Sequence, residues 1–193
     1  MSIHTPFESF PEFTTDRLFL RMVKEKDVPY LFEIKADAET TAKYGRKPHT
    51  EVEQTSRWVS EILKDYVGRK TLYWAVTLKG KDDPIGSFTL WNIDLDSYMA
   101  ELGYELNRKY WRSGIMLEAL NPMIGWAFRE MGLNRIEACP MKMNKASIGL
   151  LEKLGFKFEG NLRERIFFNG KFEDQLYYSI LKSDWEIMDK MRQ

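Results

Sequence analysis

The sequence predicts an α/β (α+β) fold: a mixed, mostly antiparallel central sheet flanked by helices. Three observations carry this. Residues 71–106 hold three strand patterns in a row separated by turn chemistry, which reads as an antiparallel meander. A long run of helical periodicity follows and leads into a short strand, the signature of a crossover that makes its two flanking strands parallel. The chain then closes on a helix and two further strands around an Asn-Gly pair, a hairpin signal.

The elements follow in order. "TDRLFLRMV", residues 15–23, alternates Leu18, Leu20 and Met22 against Arg17, Phe19 and Arg21, a half-buried strand. Asp27 is placed to cap a helix carrying Val28, Leu31, Phe32 and Ile34. Thr50 and Gln54 open an amphipathic helix with Val52, Trp58, Val59, Ile62 and Leu63 on its apolar face. The meander strands are expected at 71–78, 85–93 and 99–106. Residues 113–131 form the crossover helix, with Gly132 as its C-cap and Pro122 as a site for a kink. A strand at 135–141, a helix at 144–156, a hairpin at 157–181 turning at Asn169-Gly170, and a final short helix capped by Ser183 complete the chain.

Composition bounds the function. With 193 residues, 44% hydrophobic and 14% aromatic, the chain suits one domain, 1–193, with a core at about 15–185. Basic and acidic residues balance at 29 each, so no global charge argues for nucleic acid or an anionic membrane. A single cysteine, Cys139, permits no internal disulfide and fits a reducing compartment. "MSIHTPFESFPEF" has no basic start and no long apolar run, so it does not read as a signal peptide. No stretch approaches the ~18 apolar residues of a membrane span. The expectation is a cytoplasmic protein, monomer or homodimer, with no metal, since two histidines and one cysteine supply few ligands.

The stretch "KYWRSGIMLEAL", residues 109–120, is where chemistry concentrates. A strand ends near Leu106 and a helix begins just past Gly114. The first turn of a helix leaves N–H groups unpaired at the positive end of its dipole, and a glycine there lets a ligand approach. Arg108, Lys109 and Arg112 add charge, so the corner suits a pyrophosphate. Taken alone, it also fits an ordinary turn with solvated basic residues.

The wider pattern decides between these. "ELGYEL…YWRSGIMLEAL" followed by "NRIEACPMKMNKASIGLLEKLGFKFEG" resembles the GNAT acetyltransferases, specifically the RimJ/RimL-type branch that acetylates protein N-termini. The resemblance spans roughly residues 15–185 and is strongest at 111–120 and 144–160. It implies the GNAT acyl-CoA N-acyltransferase fold and acetyl-CoA as co-substrate. The family signature Gln/Arg-x-x-Gly-x-Gly/Ala falls on Trp111, Arg112, Ser113, Gly114, Ile115 and Met116, whose backbone amides would hold the pyrophosphate. Trp111 and Met116 depart from that pattern, and Met116 is expected to crowd the phosphates. The resemblance further implies that Leu106 and its neighbours bond the pantetheine arm, that Asn144 meets the pantetheine or substrate region, and that Ser147 lies close to the thiol.

Direct transfer requires a neutral amine, and an α-amine with pKa near ~8 needs less help than a lysine near ~10.4. Glu101 resembles the family's strand glutamate and is the candidate base; Glu105 is second, on the same face across Gly103, which leaves room between them. A strand N–H near Leu106 would stabilise the oxyanion. Leu151 stands where many members carry a tyrosine acid, so Ser147, one helical turn earlier, is the substitute donor to sulfur. Cys139 is read as a small buried residue and not a nucleophile. Trp58, Trp74, Trp91 and Trp126 are read as core, and His4 and His49 as non-catalytic. The hairpin "RERIFFNGKFED" reads as a solvated edge whose family counterpart walls the acceptor cleft. The acceptor is then the α-amine of a protein such as a ribosomal protein. The alternatives are a small amine (polyamine, amino acid or aminoglycoside) and a non-catalytic acyl-CoA-binding module.

Overall fold

The computed structural model describes residues 7–192; His4 lies outside them. Its framework is one sheet of eight strands: β1 (Phe13–Thr14), β2 (Leu18–Met22), β3 (Leu72–Leu78), β4 (Pro84–Asp94), β5 (Met99–Leu106), β6 (Arg135–Ala138), β7 (Lys157–Phe168) and β8 (Lys171–Leu181). They lie in the order β1-β2-β3-β4-β5-β6-β8-β7. The meander is antiparallel, as its pattern predicts. The described helices are α1 (Val28–Ala36), α2 (Ala38–Ala42), α3 (Val52–Val67), α4 (Ile115–Arg129), α5 (Lys145–Lys153) and α6 (Lys182–Arg192).

The crossover through α4 makes β5 and β6 parallel, the one parallel pair among the described strands. Their pairing is short: Met99, Ala100 and Glu101 meet Arg135, Ile136 and Glu137. β6 stops at Ala138 because Pro140 has no N–H for a ladder, and the chain returns only as an isolated bridge from Met141 to Gln175. The outer half of β5 therefore has no strand beside it on that edge.

The two faces of the sheet are covered differently. Ala100 and Leu102 join the main core with Met116, Ala119, Leu120, Ile124, Phe128 and Leu151 beneath α4 and α5. The opposite face of β3 lies under α1 and α3, where Tyr73 packs with Leu31, Ile34, Val59 and Ile62. Alternation on β5 thus sends Tyr104 to the α5 side, and Glu101, Gly103 and Glu105 to the other.

Several local expectations meet a different outcome. The Asp27 side chain does not cap α1; its buried carboxylate accepts from the Lys24 N–H and from Arg21 Nη1 and Nη2, each at 2.8 Å, because Arg21 is itself buried and needs an anion. Ser183 lies inside α6, which starts at Lys182 directly off β8. α4 runs unbroken through Pro122. Its end does use Gly132, at φ +76°, with the Leu133 N–H returning to the Ala127 carbonyl at 3.0 Å. The hairpin turns at Asn169 and Gly170, both with positive φ.

Candidate acetyl-transfer site

Two helix starts and one gap in the sheet define the candidate site. The first start is α4. Gly114 is its N-cap, at φ +78°, and no side chain caps the first turn. A left-handed corner of this kind favours glycine. Among the described residues, a Cβ there would meet Arg17 Nη2, at 3.6 Å. The amides of the first turn thus have no side-chain cap among the described residues, with the positive end of the helix dipole behind them. Trp111 closes the approach to the corner: its indole N–H donates to the Leu106 carbonyl at 2.8 Å. Its departure from the family pattern is thereby a latch holding the turn against the strand end.

The charges at this corner differ from the expectation. Arg108 points away, to Glu39 at 2.6 Å and Asp37 at 3.7 Å, and Lys109 points to Glu33 at 3.8 Å. Acidic residues on and beside α1 and α2 draw them off. Arg112 is exposed. The cation brought to the corner is Arg17, nearly a hundred residues earlier. Its Nη1 donates to the Ser113 carbonyl at 3.1 Å and its Nε to Glu118 at 2.6 Å. Met116 does not crowd the site: its side chain and that of Ile115 turn inward and are 7% and 4% exposed, leaving only their amides at the corner. Ser113 is exposed and donates to the Tyr110 carbonyl at 2.5 Å.

The gap lies between the ends of β5 and β6. The Asn107 N–H donates to the Ile85 carbonyl at 2.9 Å, so alternate residues of β5 face β4. Tyr104 and Leu106 then turn their N–H groups to the other edge, which β6 has left. A linear thioester arm laid there would meet strand amides, as an added strand would.

The second helix start is α5. Asn144 caps it, accepting from the Ser147 N–H at 3.1 Å, while its own amide donates to the Lys43 carbonyl at 3.0 Å. Asn144 therefore fixes the helix and the loop after α2 to each other. Ser147 sits in the first turn, and its hydroxyl lies 2.6 Å from that of Tyr104. Tyr104 went unread in the sequence as a functional residue. The signal available was a tyrosine on the apolar face of a strand, whose buried hydroxyl must find a partner.

On the opposite face, Glu101 lies beside Trp91 on β4 and Glu137 on β6. Burial, and then the charge of Glu137, raise the Glu101 carboxyl above the ordinary carboxylate range against a 3.1 Å hydrogen bond from Asn92. Glu137 is held by Arg135 at 2.5 Å and by the Tyr177 hydroxyl. Trp91 is not core: it is 40% exposed, where a bulge follows it on β4. Trp74, Trp58 and Trp126 pack into the clusters as expected.

Glu105, four residues along, is 8% exposed and fully engaged. It pairs with Lys35 at 2.8 Å and accepts from Tyr44, Ser87 and Tyr73 at 3.0, 3.0 and 3.2 Å. Lys35 lies over the Trp58 ring at 4.1 Å. Between the glutamates, a Cβ on Gly103 would stand 3.1 Å from Thr89 Cγ2, so the space there is already narrow. His49 bonds Thr55 at 2.8 Å, and burial with the nearby Lys35 charge lowers its pKa. Cys139 lies just past the end of β6. Burial first, then Glu101 and Glu137, push its thiol up to about 12, which keeps it protonated at neutral pH.

The hairpin edge is exposed. At residues 162–166 its register shifts, with Glu164 at φ +53°. Asp174 pins this bulge, accepting from the Glu164 N–H at 3.0 Å, Asn161 at 2.9 Å and Lys142 at 2.9 Å. It carries Arg163 and Arg165 into solvent. The Arg165 charge acts on the Cys139 thiol in the opposite sense, against that push.

The site so built holds an uncapped glycine corner, a strand splayed from its parallel neighbour and a carboxylate beside the splay. Comparison with known proteins gives the family. Residues 17–157 match the model of the acetyltransferase (GNAT) domain, and the chain belongs to that family. It is 31% identical to the uncharacterized N-acetyltransferase YoaA of Bacillus subtilis (strain 168) over 90% of this chain and 98% of that one. It is 29% identical to the [ribosomal protein uS5]-alanine N-acetyltransferase of Escherichia coli (strain K12), covering 89% and 91%. Among solved structures, the spermidine N-acetyltransferase of Vibrio cholerae in complex with CoA and spermine superposes with a TM-score of 0.80 at 20% identity, over 89% of this chain and 99% of that one. The protein is thus an acetyl-CoA-dependent N-acetyltransferase. Among the described residues no helix is long and apolar enough to cross a membrane, and no cluster of metal-ligating side chains occurs.

Proposed function

We propose that this enzyme acetylates the α-amine of a protein or peptide N-terminus. The placement of Glu101 carries the reading: a carboxylate on the open face of β5, where the gap to β6 begins, while Tyr104 and Ser147 stand on the other face. Acetyl-CoA supplies the thioester. The amides of Gly114, Ile115 and Met116, with those of Arg112 and Ser113 leading in, would hold its diphosphate, and Leu106 would donate to the acetyl oxygen. Glu101 takes the proton of an amine arriving from its side. Ser147 stabilises the sulfur from the other. Residues 15–185 work as one catalytic domain in this reading, in the cytoplasm where acetyl-CoA is made available.

Two observations favour an α-amine over a polyamine. A carboxylate base is better matched to an amine of pKa ~8 than to one near ~10.4. Arg163 and Arg165, both exposed on the pinned bulge, would disfavour a polycation approaching from the hairpin side. The E. coli relative is named for the same class of reaction.

The test is thiol release from acetyl-CoA with three acceptors: a peptide with a free N-terminus, the same peptide N-blocked but carrying lysine, and spermidine. Turnover only with the first, with the acetyl group placed on the α-nitrogen by mass spectrometry, is expected. Preferential turnover of spermidine would overturn it.

A further inference from the structure

The hydroxyl pair behind the gap has a direction, and it makes Tyr104 part of the machinery. Each hydroxyl has one proton, and at 2.6 Å one donates to the other. If Ser147 donated, the Tyr104 proton would be left with the Ser147 carbonyl at 3.4 Å, a poor bond. A phenol is also the stronger acid and the better donor of the two. Burial raises the Tyr104 pKa further, so the phenol keeps its proton through the working range. Ser147 cannot easily turn away, since Asn144 holds its backbone and the Lys43 loop together.

We propose that Tyr104 is a positioning residue: it donates to Ser147 Oγ and so leaves the Ser147 proton free to face the sulfur in the gap between β5 and β6. This rests on the reading of Ser147 given above. A serine in a helical first turn otherwise tends to spend its proton on a nearby backbone carbonyl. Here the acceptor lone pair of Oγ is occupied from behind, and the donated bond polarises the outward O–H. The step balances without a proton leaving either hydroxyl. The C–N bond forms, the C–S bond breaks, and the electron pair goes to sulfur. Ser147 hydrogen-bonds the thiolate, which takes a proton from solvent as the thiol departs. The amine proton leaves through Glu101.

Tyr104→Phe removes one oxygen and keeps the ring. We expect kcat with a free N-terminal peptide to fall about 10-fold or more, consistent with the loss of one buried hydrogen bond, with KM for acetyl-CoA within about twofold. The double variant Tyr104→Phe with Ser147→Ala is expected to be no slower than Ser147→Ala alone, because the two act as a unit. The Tyr104→Phe deficit shrinks with an acetyl thioester of a more acidic thiol, which needs less help to leave. Replacing Tyr104 by an isosteric fluorotyrosine, a stronger donor, restores full activity and covers the case in which Tyr104→Phe fails to fold. An unchanged kcat in Tyr104→Phe, losses that add in full, or a fluorotyrosine enzyme as slow as a folded Phe variant would overturn the proposal. A wild-type enzyme inert toward every acceptor would overturn both this inference and the reading beneath it.

Discussion

Glu101 and Glu105 are four residues apart on one strand and face the same way, yet the fold gives them opposite surroundings. Glu105 lies under α1, with Lys35, Tyr44, Tyr73 and Ser87 all turned onto it. Every lone pair has a claim, and an ion pair of this depth holds α1 and the loop after α2 to the sheet. Glu101 lies past the edge of that cover, beside exposed Trp91, with one amide from Asn92. Burial without a cation raises its pKa, which is what a proton acceptor for an amine requires. In the proposed mechanism, residue type and strand alternation give the two candidates, and the covering helix separates them by engaging only Glu105.

The largest expected effect separates the two by rate. Glu101→Gln should lower kcat/KM by roughly 10²–10⁴ while the melting temperature stays close to wild type. Glu105→Ala should do the reverse in kind: it strands the buried Lys35 ammonium and costs about 3–5 kcal/mol in denaturant unfolding. Wild-type stability in Glu105→Ala would show that the pair is not what fixes α1.

Other corners extend the comparison. Gly114→Ala must place a Cβ at φ +78°, which costs about 1–3 kcal/mol of strain and narrows the amide cradle, so calorimetry should show weaker CoA binding. Arg108→Ala should be nearly silent, under about 1 kcal/mol in stability and little change in CoA affinity, because its partners are Asp37 and Glu39 on the protein's own surface. A large loss of CoA affinity there would return Arg108 to the phosphate site.

Much of this was legible before the fold. The three meander strands, the crossover helix, the glycine at its start and the Asn-Gly turn are local signals, and local chemistry fixes them. What the sequence hid was long-range. Arg17 reaches Ser113 only because β2 passes the start of α4. Arg108 and Lys109 read as phosphate ligands until α1 and α2 arrive with their acids. Trp91 reads as core on apolarity alone, and its exposure beside the β4 bulge is visible only in the fold. Tyr104 and Ser147 meet across 43 positions of chain, and nothing in either neighbourhood announces the other.

The direct test of the central claim follows Glu101→Gln and wild type across pH with one free N-terminal peptide. Glu101 accepts protons only when ionised, so wild-type kcat/KM should fall with a second unit of slope as acid brings Glu101 through its raised pKa, and that limb should be missing in the variant. The deficit of the variant should be greatest near neutral pH and shrink above ~8, where the α-amine loses its proton unaided. A deficit that stays constant from pH 6 to 10 would contradict the role of Glu101 as proton acceptor.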